Sequence, residues 1–255
     1  MKNLSTIVED IYSVVDGKGG WDETITEFFV TDISGVLNSR MAEPEQRRGT
    51  LWMSNLGAPC RRKLWYEVNR TDEAEVLRPS TKLKFLYGDM LETLLISLAL
   101  AAGHRVEGTQ TTLSIGGIKG HRDCVIDGVT VDIKSASAYG FKKFKENGLR
   151  RDDPFGYISQ LSSYVFFAGR ADEVESHPTL GAFLVIDKVS GEICLDQYDL
   201  ANEIEGKEEE VEFLKVMVTE DNPPGRSFAP VPDGGSGNMK LGVNCSYCPF
   251  KATCW

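Results

Sequence analysis

The sequence predicts an α/β fold with both helices and strands in the main domain. Asp127-Gly128 joins the strand-like runs DCVI and VTVDI, and this dipeptide favours the two-residue turn of a β-hairpin. Apolar residues recur at helical spacing over residues 83–101. A helical run over residues 154–169, with proline near its start, separates the hairpin from strand-like runs at 182–188 and 192–198.

The remaining elements have weaker patterns. They are amphipathic helices over residues 4–15 and 33–42 with a glycine-rich turn between them, a strand over 105–115, an acidic helix over 200–218 and a Pro/Gly-rich loop over 221–244. We therefore divide the chain into an N-terminal helical segment, residues 1–50, of unknown role, and a main domain, residues 51–255.

Length and composition describe an ordinary packed protein, because 255 residues with 41% apolar content suffice for one large domain or two small ones. The 28 Lys and Arg against 38 Asp and Glu give a net charge of −10, which does not favour a nucleic-acid binder taken as a whole. Basic residues nevertheless cluster locally, which leaves a basic groove open: Arg47-Arg48, Arg61-Arg62-Lys63, Lys82, Lys84, Lys142-Lys143, Lys145 and Arg150-Arg151. No run reaches the ~18 apolar residues of a membrane span, and no secretion signal is evident, so we expect a cytoplasmic protein.

The hairpin brings two acids together. If Asp127-Gly128 is the loop, Ile126 faces Val129, and Asp123 lies directly opposite Asp132. Opposed side chains have Cβ atoms roughly 4.5 to 5.5 Å apart, so two carboxylates there repel unless something compensates. Oxygen ligands this close suit Mg²⁺ or Mn²⁺.

The strand after the turn has one polar face. Lys134 follows Asp132 by two residues and so shares its face, whereas Val131 and Ile133 make the other face apolar. A surface hairpin with solvated acids is the alternative, and it does not explain why a cation is placed beside the acids. The same register puts His121 opposite Lys134.

Two helical runs carry further candidates. Glu92 lies among leucines in the 83–101 helix, where an acid is costly to bury unless it is paired or binds a cation. Its alternative is exposure at the edge of the apolar stripe. Gln160 and Tyr164 are four residues apart and so share a helix face.

The six cysteines favour metal or redox chemistry over disulfides. Three of them end the chain in the spacing C-x2-C-x5-C: Cys245, Cys248 and Cys254. Three thiolates need a fourth ligand, and Cys60 is the natural candidate. Zinc or an iron–sulfur cluster would satisfy such a set, and we expect Cys124 and Cys194 to pack in the core.

These cysteines occur together with the motifs GDMLE, GHRD, DIK and QLSSY in this order, and with CRRKLWY at Cys60. The chain thereby resembles the iron–sulfur branch of the RecB-like PD-(D/E)XK nucleases, which includes CRISPR-associated RecB-like exonucleases and AddB-type subunits. The resemblance covers residues 54–255. It implies a restriction-endonuclease-like core, with a mixed central sheet flanked by helices, a helical N-terminal part and a C-terminal iron–sulfur clamp.

The resemblance also implies roles for individual residues. The metal-binding and catalytic positions are Glu92, Asp123, Asp132 and Lys134, with the Ile133 carbonyl as a further ligand for Mg²⁺ or Mn²⁺. Gln160 and Tyr164 match a motif that helps to hold DNA near the site. Cys60, Cys245, Cys248 and Cys254 match the four ligands of a [4Fe-4S] cluster, which we favour over zinc.

The resulting hypothesis is a metal-dependent DNA exonuclease that acts on single strands or DNA ends in recombination, repair or CRISPR adaptation. Beside a metal ion, the pKa of Lys134 should be lowered. One alternative is a catalytically silent DNA-binding subunit of a recombination or adaptation complex. Another is a zinc-stabilised structural protein. Homo-oligomers or complexes with such partners are compatible with each hypothesis.

Overall fold

The structure, a computed structural model, describes residues 2–42, 49–171 and 174–255. The strands are β1 Val106–Glu107, β2 Thr111–Ile115, β3 Ile118–Arg122, β4 Cys124–Ile126, β5 Val129–Ala136, β6 Leu180–Asp187, β7 Ile193–Asp199, β8 Val231–Pro232 and β9 Met239–Lys240. The main sheet has the order β1-β4-β5-β6-β7, in which β5 and β6 are parallel and the other pairs antiparallel. The predicted mixed sheet is therefore confirmed.

Among the described residues, five helices precede the first strand, and the other six lie between or after the later strands. They are α1 Ile7–Ser13, α2 Glu23–Met41, α3 Met53–Leu56, α4 Arg61–Asn69, α5 Pro79–Ala101, α6 Ala138–Lys145, α7 Tyr157–Ala171, α8 Ala201–Ile204, α9 Lys207–Thr219, α10 Val243–Ser246 and α11 Lys251–Cys254. Short 3₁₀ turns at Leu4–Thr6 and Thr71–Glu73 and a π turn at Val14–Lys18 complete the set.

The predicted turn and register of the hairpin are confirmed. Asp127 and Gly128 have φ values of 50° and 81°, the positive values that this turn requires. Ile126 pairs with Val129, and the register continues to the last pair, Cys124 with Val131. Asp123 is the next residue beyond that pair.

The prediction of one continuous strand over residues 105–115 is wrong. Gly108, with φ 55°, and Gln110, with φ 51°, turn the chain between β1 and β2. β2 then pairs with β3 in a separate two-stranded sheet, so His121 lies opposite Thr112 and not opposite Lys134.

Several helix boundaries also differ from the prediction. The run over 200–218 is divided into α8 and α9, because Gly206 is left-handed with φ 76°. α7 begins at Tyr157, where the Asp153 carboxylate accepts hydrogen bonds from the amides of Tyr157 and Ile158. α2 extends the predicted 33–42 helix back to Glu23, capped by Asp22. The loop over 221–244 contains the small hairpin β8–β9.

The main sheet is covered by helices on both faces. Val131 and Ile133 of β5 pack with Leu95 and Ile96 of α5, in a cluster that also receives Ile7 and Ile11 from α1. On the opposite face, a second cluster joins the sheet to α6 and α7 through Phe183, Val185, Phe144, Leu161 and Val165. Cys124 belongs to the first cluster and Cys194 to the second, as predicted. The division at residue 50 stays a prediction.

A third apolar cluster lies beside the main sheet. It joins α3, α4, α7 and α9 to the β2–β3 sheet and to Phe250 near the C-terminus. Arg47 and Arg48, one of the predicted basic clusters, lie outside the described residues. Among the helices of the described residues, none combines the length and the apolar character needed to cross a membrane.

Candidate active site

Asp123 lies just before β4 begins and beside Asp132 of β5. Asp123 Oδ2 accepts a hydrogen bond from the Ile133 amide at 2.8 Å, which holds the Asp123 carboxylate against β5. Asp132 pairs in register with Phe183 of β6 and therefore faces the layer of α6 and α7. Its side chain is buried, with 3% of the residue exposed. Burial, followed by repulsion from Asp132, raises the pKa of Asp123 to about 7.

Lys134 is the cation of this site. Its ammonium lies 2.5 Å from Asp132 Oδ2 and 5.5 Å from the centre of the Tyr157 ring. Burial lowers the pKa of Lys134, but the carboxylates of Asp132 and Asp123 raise it by more, so that it lies well above its ordinary value. This direction describes Lys134 among the protein's own charges; its predicted lowering concerns a lysine beside a metal ion.

Glu92 approaches these residues from α5. Burial raises the pKa of Glu92 to about 9, with further increases from Asp123 and Asp132. Glu92, Asp123, Asp132 and Lys134 therefore lie close enough for their charges to interact. Asp89, the other acid on this part of α5, is instead paired with Arg40 of α2, whose Nη2 donates to Asp89 Oδ1 at 2.9 Å.

Gln110 also belongs to this site, although no sequence motif indicated it. Its side-chain amide donates to Glu92, and its backbone N–H donates to the Asp123 carbonyl at 3.0 Å. Gln110 thus connects two of the three acids. The only sequence signal near it is Gly108, which breaks the predicted strand.

α7 contributes the aromatic side of the site. Tyr164 is buried, and its phenol hydrogen-bonds with Gln160, as expected for residues one helical turn apart. Burial raises the pKa of Tyr164, and the nearby charges of Asp132 and Asp123 raise it further. Tyr157, which was not predicted, packs over the Lys134 ammonium. Gln160 and Tyr164 are therefore close to the acids, while contact with DNA stays a prediction.

The four predicted cysteine ligands line a single cavity, although Cys60 is far from the others in sequence. Cys60 caps α4, with its sulfur accepting from the Lys63 amide at 3.4 Å, and Cys245, Cys248 and Cys254 reach the cavity from α10, α11 and the turn between them. The cavity, including its open mouth, encloses about 330 Å³. Burial raises the pKa of the Cys248 thiol, and the neighbouring Cys60 and Cys245 raise it further.

Both groups have the donor chemistry that the predicted cofactors need. Four thiols around one cavity suit an iron–sulfur cluster or zinc, and the neighbouring carboxylates of Glu92, Asp123 and Asp132 suit a divalent cation. Within residues 2–42, 49–171 and 174–255, however, no three His, Cys, Asp or Glu side chains already have the arrangement of a formed metal site. Ligation by these residues, and by the Ile133 carbonyl, stays a prediction.

Comparison with known proteins found solved structures of similar fold and no matching sequence family. No family model and no curated protein sequence matches the chain. An alkaline exonuclease, LHK-Exo from Laribacter hongkongensis, has a similar structure with a TM-score of 0.48 and 14% identity, covering 76% of this chain and 92% of that one. The crystal structure of SSO0001 is similar with a TM-score of 0.45 and 19% identity, covering 90% of this chain and 96% of that one. Neither likeness is strong enough to carry a conclusion about what this chain does.

Proposed function

We propose that this chain is a metal-dependent DNA nuclease that hydrolyses phosphodiester bonds, acting on single strands or on free ends. The observation that supports the proposal is the convergence of Glu92, Asp123 and Asp132 with Lys134 beside β5. The three carboxylates repel one another, Lys134 offsets only part of that repulsion, and bound divalent cations would relieve the rest. The exonuclease assignment and the choice of DNA rest on the resemblance of the motifs.

Each residue has a defined role in this proposal. Glu92, Asp123, Asp132 and the Ile133 carbonyl hold Mg²⁺ or Mn²⁺, which when bound supplies Lewis acidity to a water and to the attacked phosphate. Lys134, whose ammonium lies 2.5 Å from Asp132 Oδ2, would orient the attacking water or stabilise the charge that develops on the phosphate.

The cysteine group has a structural role in the proposal. Cys60, Cys245, Cys248 and Cys254 would hold a [4Fe-4S] cluster that joins the start of α4 to the C-terminus. Their shared cavity supports this assignment. Such a link lowers the conformational entropy of the segment between α4 and the C-terminus and requires no electron transfer.

The α7 pair would act on the DNA. Gln160 is half-buried and accessible to a strand, so we assign it to contact with DNA. Tyr164 is buried and orients Gln160 through their hydrogen bond.

Substitution of Lys134 or Asp123 by alanine tests the proposal. Each variant should lose about a hundredfold or more of the Mn²⁺-dependent degradation of end-labelled single-stranded DNA, because the site loses its donor or a cation ligand. Lys18→Ala is a matched control, since Lys18 is exposed in the N-terminal segment away from β5. The visible absorbance of the purified protein should be unchanged in all three.

Two outcomes would reject the assignment. Undiminished digestion by Lys134→Ala and Asp123→Ala would remove these residues from the chemistry. Binding of DNA by the unaltered protein without cleavage in Mn²⁺ would favour the silent binding subunit.

A further inference from the structure

A row of aromatic rings connects Lys134 with the cysteine cavity. The Lys134 ammonium lies 5.5 Å from the Tyr157 ring centre, and Tyr157 lies 5.7 Å from Phe155. The Phe155 ring is in turn 6.5 Å from the ring of Tyr247. Tyr247 lies between Cys245 and Cys248 in the sequence, so the row begins at the candidate active site and ends on the cysteine loop.

The outer half of this row is open to solvent. Phe155 is 50% exposed and Tyr247 is 76% exposed, whereas Tyr157 is half-buried against Phe144 and Phe183. Single exposed aromatic residues are common on protein surfaces. Here the two exposed rings are adjacent to each other and continuous with a third ring that contacts the candidate catalytic lysine, which isolated exposure would not produce.

The polypeptide around the row is basic, although the protein is acidic. Residues 138–157 contain five Lys and Arg against three Asp and Glu, in a chain with a net charge of −10. Lys143 contacts the exposed ring of Tyr139 and contributes to the electrostatic environment of Tyr157. Arg151 is exposed in the turn that leads to Phe155. Four of the five basic residues are ion-paired with carboxylates: Lys142 with Glu146, Lys143 with Asp152, Lys145 with Glu192 and Arg150 with Glu203. The cation that this segment offers to a polyanionic, aromatic ligand is therefore the exposed Arg151.

From this combination we infer that Tyr157, Phe155 and Tyr247 form a stacking surface for consecutive bases of single-stranded DNA, with the strand running from the cysteine loop toward Lys134. The inference rests on the proposed function, because it treats the DNA as the substrate of that site. A single strand presents the faces of its bases, which stack on aromatic side chains without regard to sequence, whereas a duplex keeps those faces covered. The cysteine loop then contacts the part of the strand that is farthest from Lys134.

This surface assigns the cysteine loop a role in binding besides stabilisation. The Cys248 amide donates to the Cys245 carbonyl at 3.1 Å, which makes a tight turn that presents Tyr247. Phe155 is presented from the other side by Gly156, whose backbone lies against Gly57 in the segment leading to Cys60. Tyr247 is therefore part of the cysteine loop, and Phe155 is held beside the segment that leads to Cys60.

The test measures binding of the full chain to fluorescent oligodeoxythymidylate by polarisation, with Ca²⁺ in place of Mn²⁺ to prevent cleavage. Phe155→Ala and Tyr247→Ala should each weaken binding about tenfold, since stacking on one ring is lost. Tyr247→Phe keeps the ring and should bind as the unaltered protein does. Phe213→Ala is the matched control, because Phe213 is a similarly exposed ring, at 56%, on α9, and it is not part of the row.

Abasic oligonucleotides separate stacking from charge. They should bind the unaltered protein more weakly than oligodeoxythymidylate does, and Phe155→Ala should cause no further loss with them. The slope of log affinity against log salt should be unchanged in Phe155→Ala, while Arg151→Ala should reduce it by about 0.7, as for one lost phosphate contact. Affinity for a blunt duplex should be equal in the unaltered protein and Phe155→Ala.

The inference is overturned if both alanine variants bind oligodeoxythymidylate within twofold of the unaltered protein. It is also overturned if Phe213→Ala weakens binding as much as Phe155→Ala does, or if Phe155→Ala weakens binding of abasic DNA as much as binding of oligodeoxythymidylate. The effect would then not be stacking on these rings. Cleavage by the unaltered protein in Mn²⁺ is a separate measurement. A failure of the nuclease proposal would therefore show as absent cleavage in Mn²⁺, whereas a failure of this inference would show as unchanged DNA binding by the ring variants.

Discussion

Each acid of the candidate site has a different partner. Asp132 is paired with the Lys134 ammonium, Asp123 accepts from a backbone amide, and Glu92 accepts from the neutral Gln110 side chain. Burial and the charges of Asp123 and Asp132 raise the pKa of Glu92 to about 9. Burial also raises the pKa of Asp123, but the Ile133 amide lowers it, and it lies at about 7. Glu92 is therefore the acid whose charge depends most on a bound cation.

Gln110 should determine how well Glu92 serves as a ligand. We expect Gln110→Ala to raise the Mn²⁺ concentration for half-maximal nuclease activity about tenfold, as for other residues that orient a metal ligand. The measurement is a Mn²⁺ titration of initial rates.

Gln197 provides the control for this prediction. It is an exposed glutamine on β7, and Gln197→Ala should leave the Mn²⁺ dependence unchanged. If Gln110→Ala has the same Mn²⁺ dependence as the unaltered protein, Gln110 does not position Glu92.

The two aspartates and Gln110 differ in how far the sequence could predict them. Asp123 and Asp132 were predictable as neighbours because the turn at Asp127-Gly128 fixes a register of only a few residues. Gln110 reaches Glu92 only because the chain turns at Gly108 and brings Gln110 back beside Asp123. That contact depends on packing between distant segments, for which a single sequence has no local signal.

At the scale of elements, two loops approach each other closely beside the site. A Cβ atom at Gly156 would lie 2.0 Å from the Gly57 carbonyl oxygen, and one at Gly57 would lie 2.7 Å from the Gly156 carbonyl oxygen. Gly156 immediately precedes α7, and Gly57 ends α3 three residues before Cys60. The contact thus joins the helix of Gln160 and Tyr164 to the segment that carries Cys60.

Gly156→Ala should therefore be more destabilising than the conformation of its backbone alone requires. Gly156 has φ 75°, and Gly191 has φ 77° with no atom within 4 Å of a Cβ. Both alanine variants bear the cost of a left-handed residue, roughly 1–2 kcal/mol, but only Gly156→Ala must also separate two backbones. We expect it to lose at least about 2 kcal/mol more than Gly191→Ala in denaturant unfolding.

Equal unfolding free energies for the two variants would contradict this prediction, because they would show that the loops separate without cost. The pair is informative because the φ values match and only the surroundings differ.

Element types were predicted better than element boundaries. The long α5 and the strands β5, β6 and β7 have strong apolar patterns and lie near their predicted positions. The errors occur where glycine adopts positive φ inside an otherwise regular pattern, as at Gly108 and Gly206. Glycine permits such a turn without requiring it, so the surrounding packing decides whether the element continues.

At the scale of the whole molecule, α4 contacts the C-terminal segment of the chain. Tyr66 stacks on Phe250 with ring centres 5.4 Å apart. Arg62 Nη1 donates to the Pro224 carbonyl at 2.8 Å, and Trp65 Nε1 donates to the Glu220 carbonyl at 2.9 Å. The C-terminal segment is therefore held by packing and hydrogen bonds as well as by any group bound to the cysteines.

The proposed cluster can be tested against this background. Cys60→Ala should abolish iron and sulfide binding and the visible absorbance after anaerobic purification, since three thiolates cannot complete the site. Cys194→Ala is the control, because Cys194 lies in β7, where burial raises the pKa of its thiol to about 12 and keeps it protonated. The Cys194→Ala variant should retain its iron.

The loss of stability in Cys60→Ala should be moderate because α4 still binds the C-terminal segment through Tyr66, Arg62 and Trp65. A covalent cross-link that closes so long a loop contributes about 3–5 kcal/mol in chain-entropy models, but existing packing already limits the freedom of this segment, so we expect about 2 kcal/mol. Limited proteolysis should then cleave the loop between α9 and α10 faster in Cys60→Ala than in Cys194→Ala. If the unaltered protein is colourless and contains one zinc per chain, the cysteines bind zinc and not a cluster. Full iron content in Cys60→Ala would exclude Cys60 as a ligand.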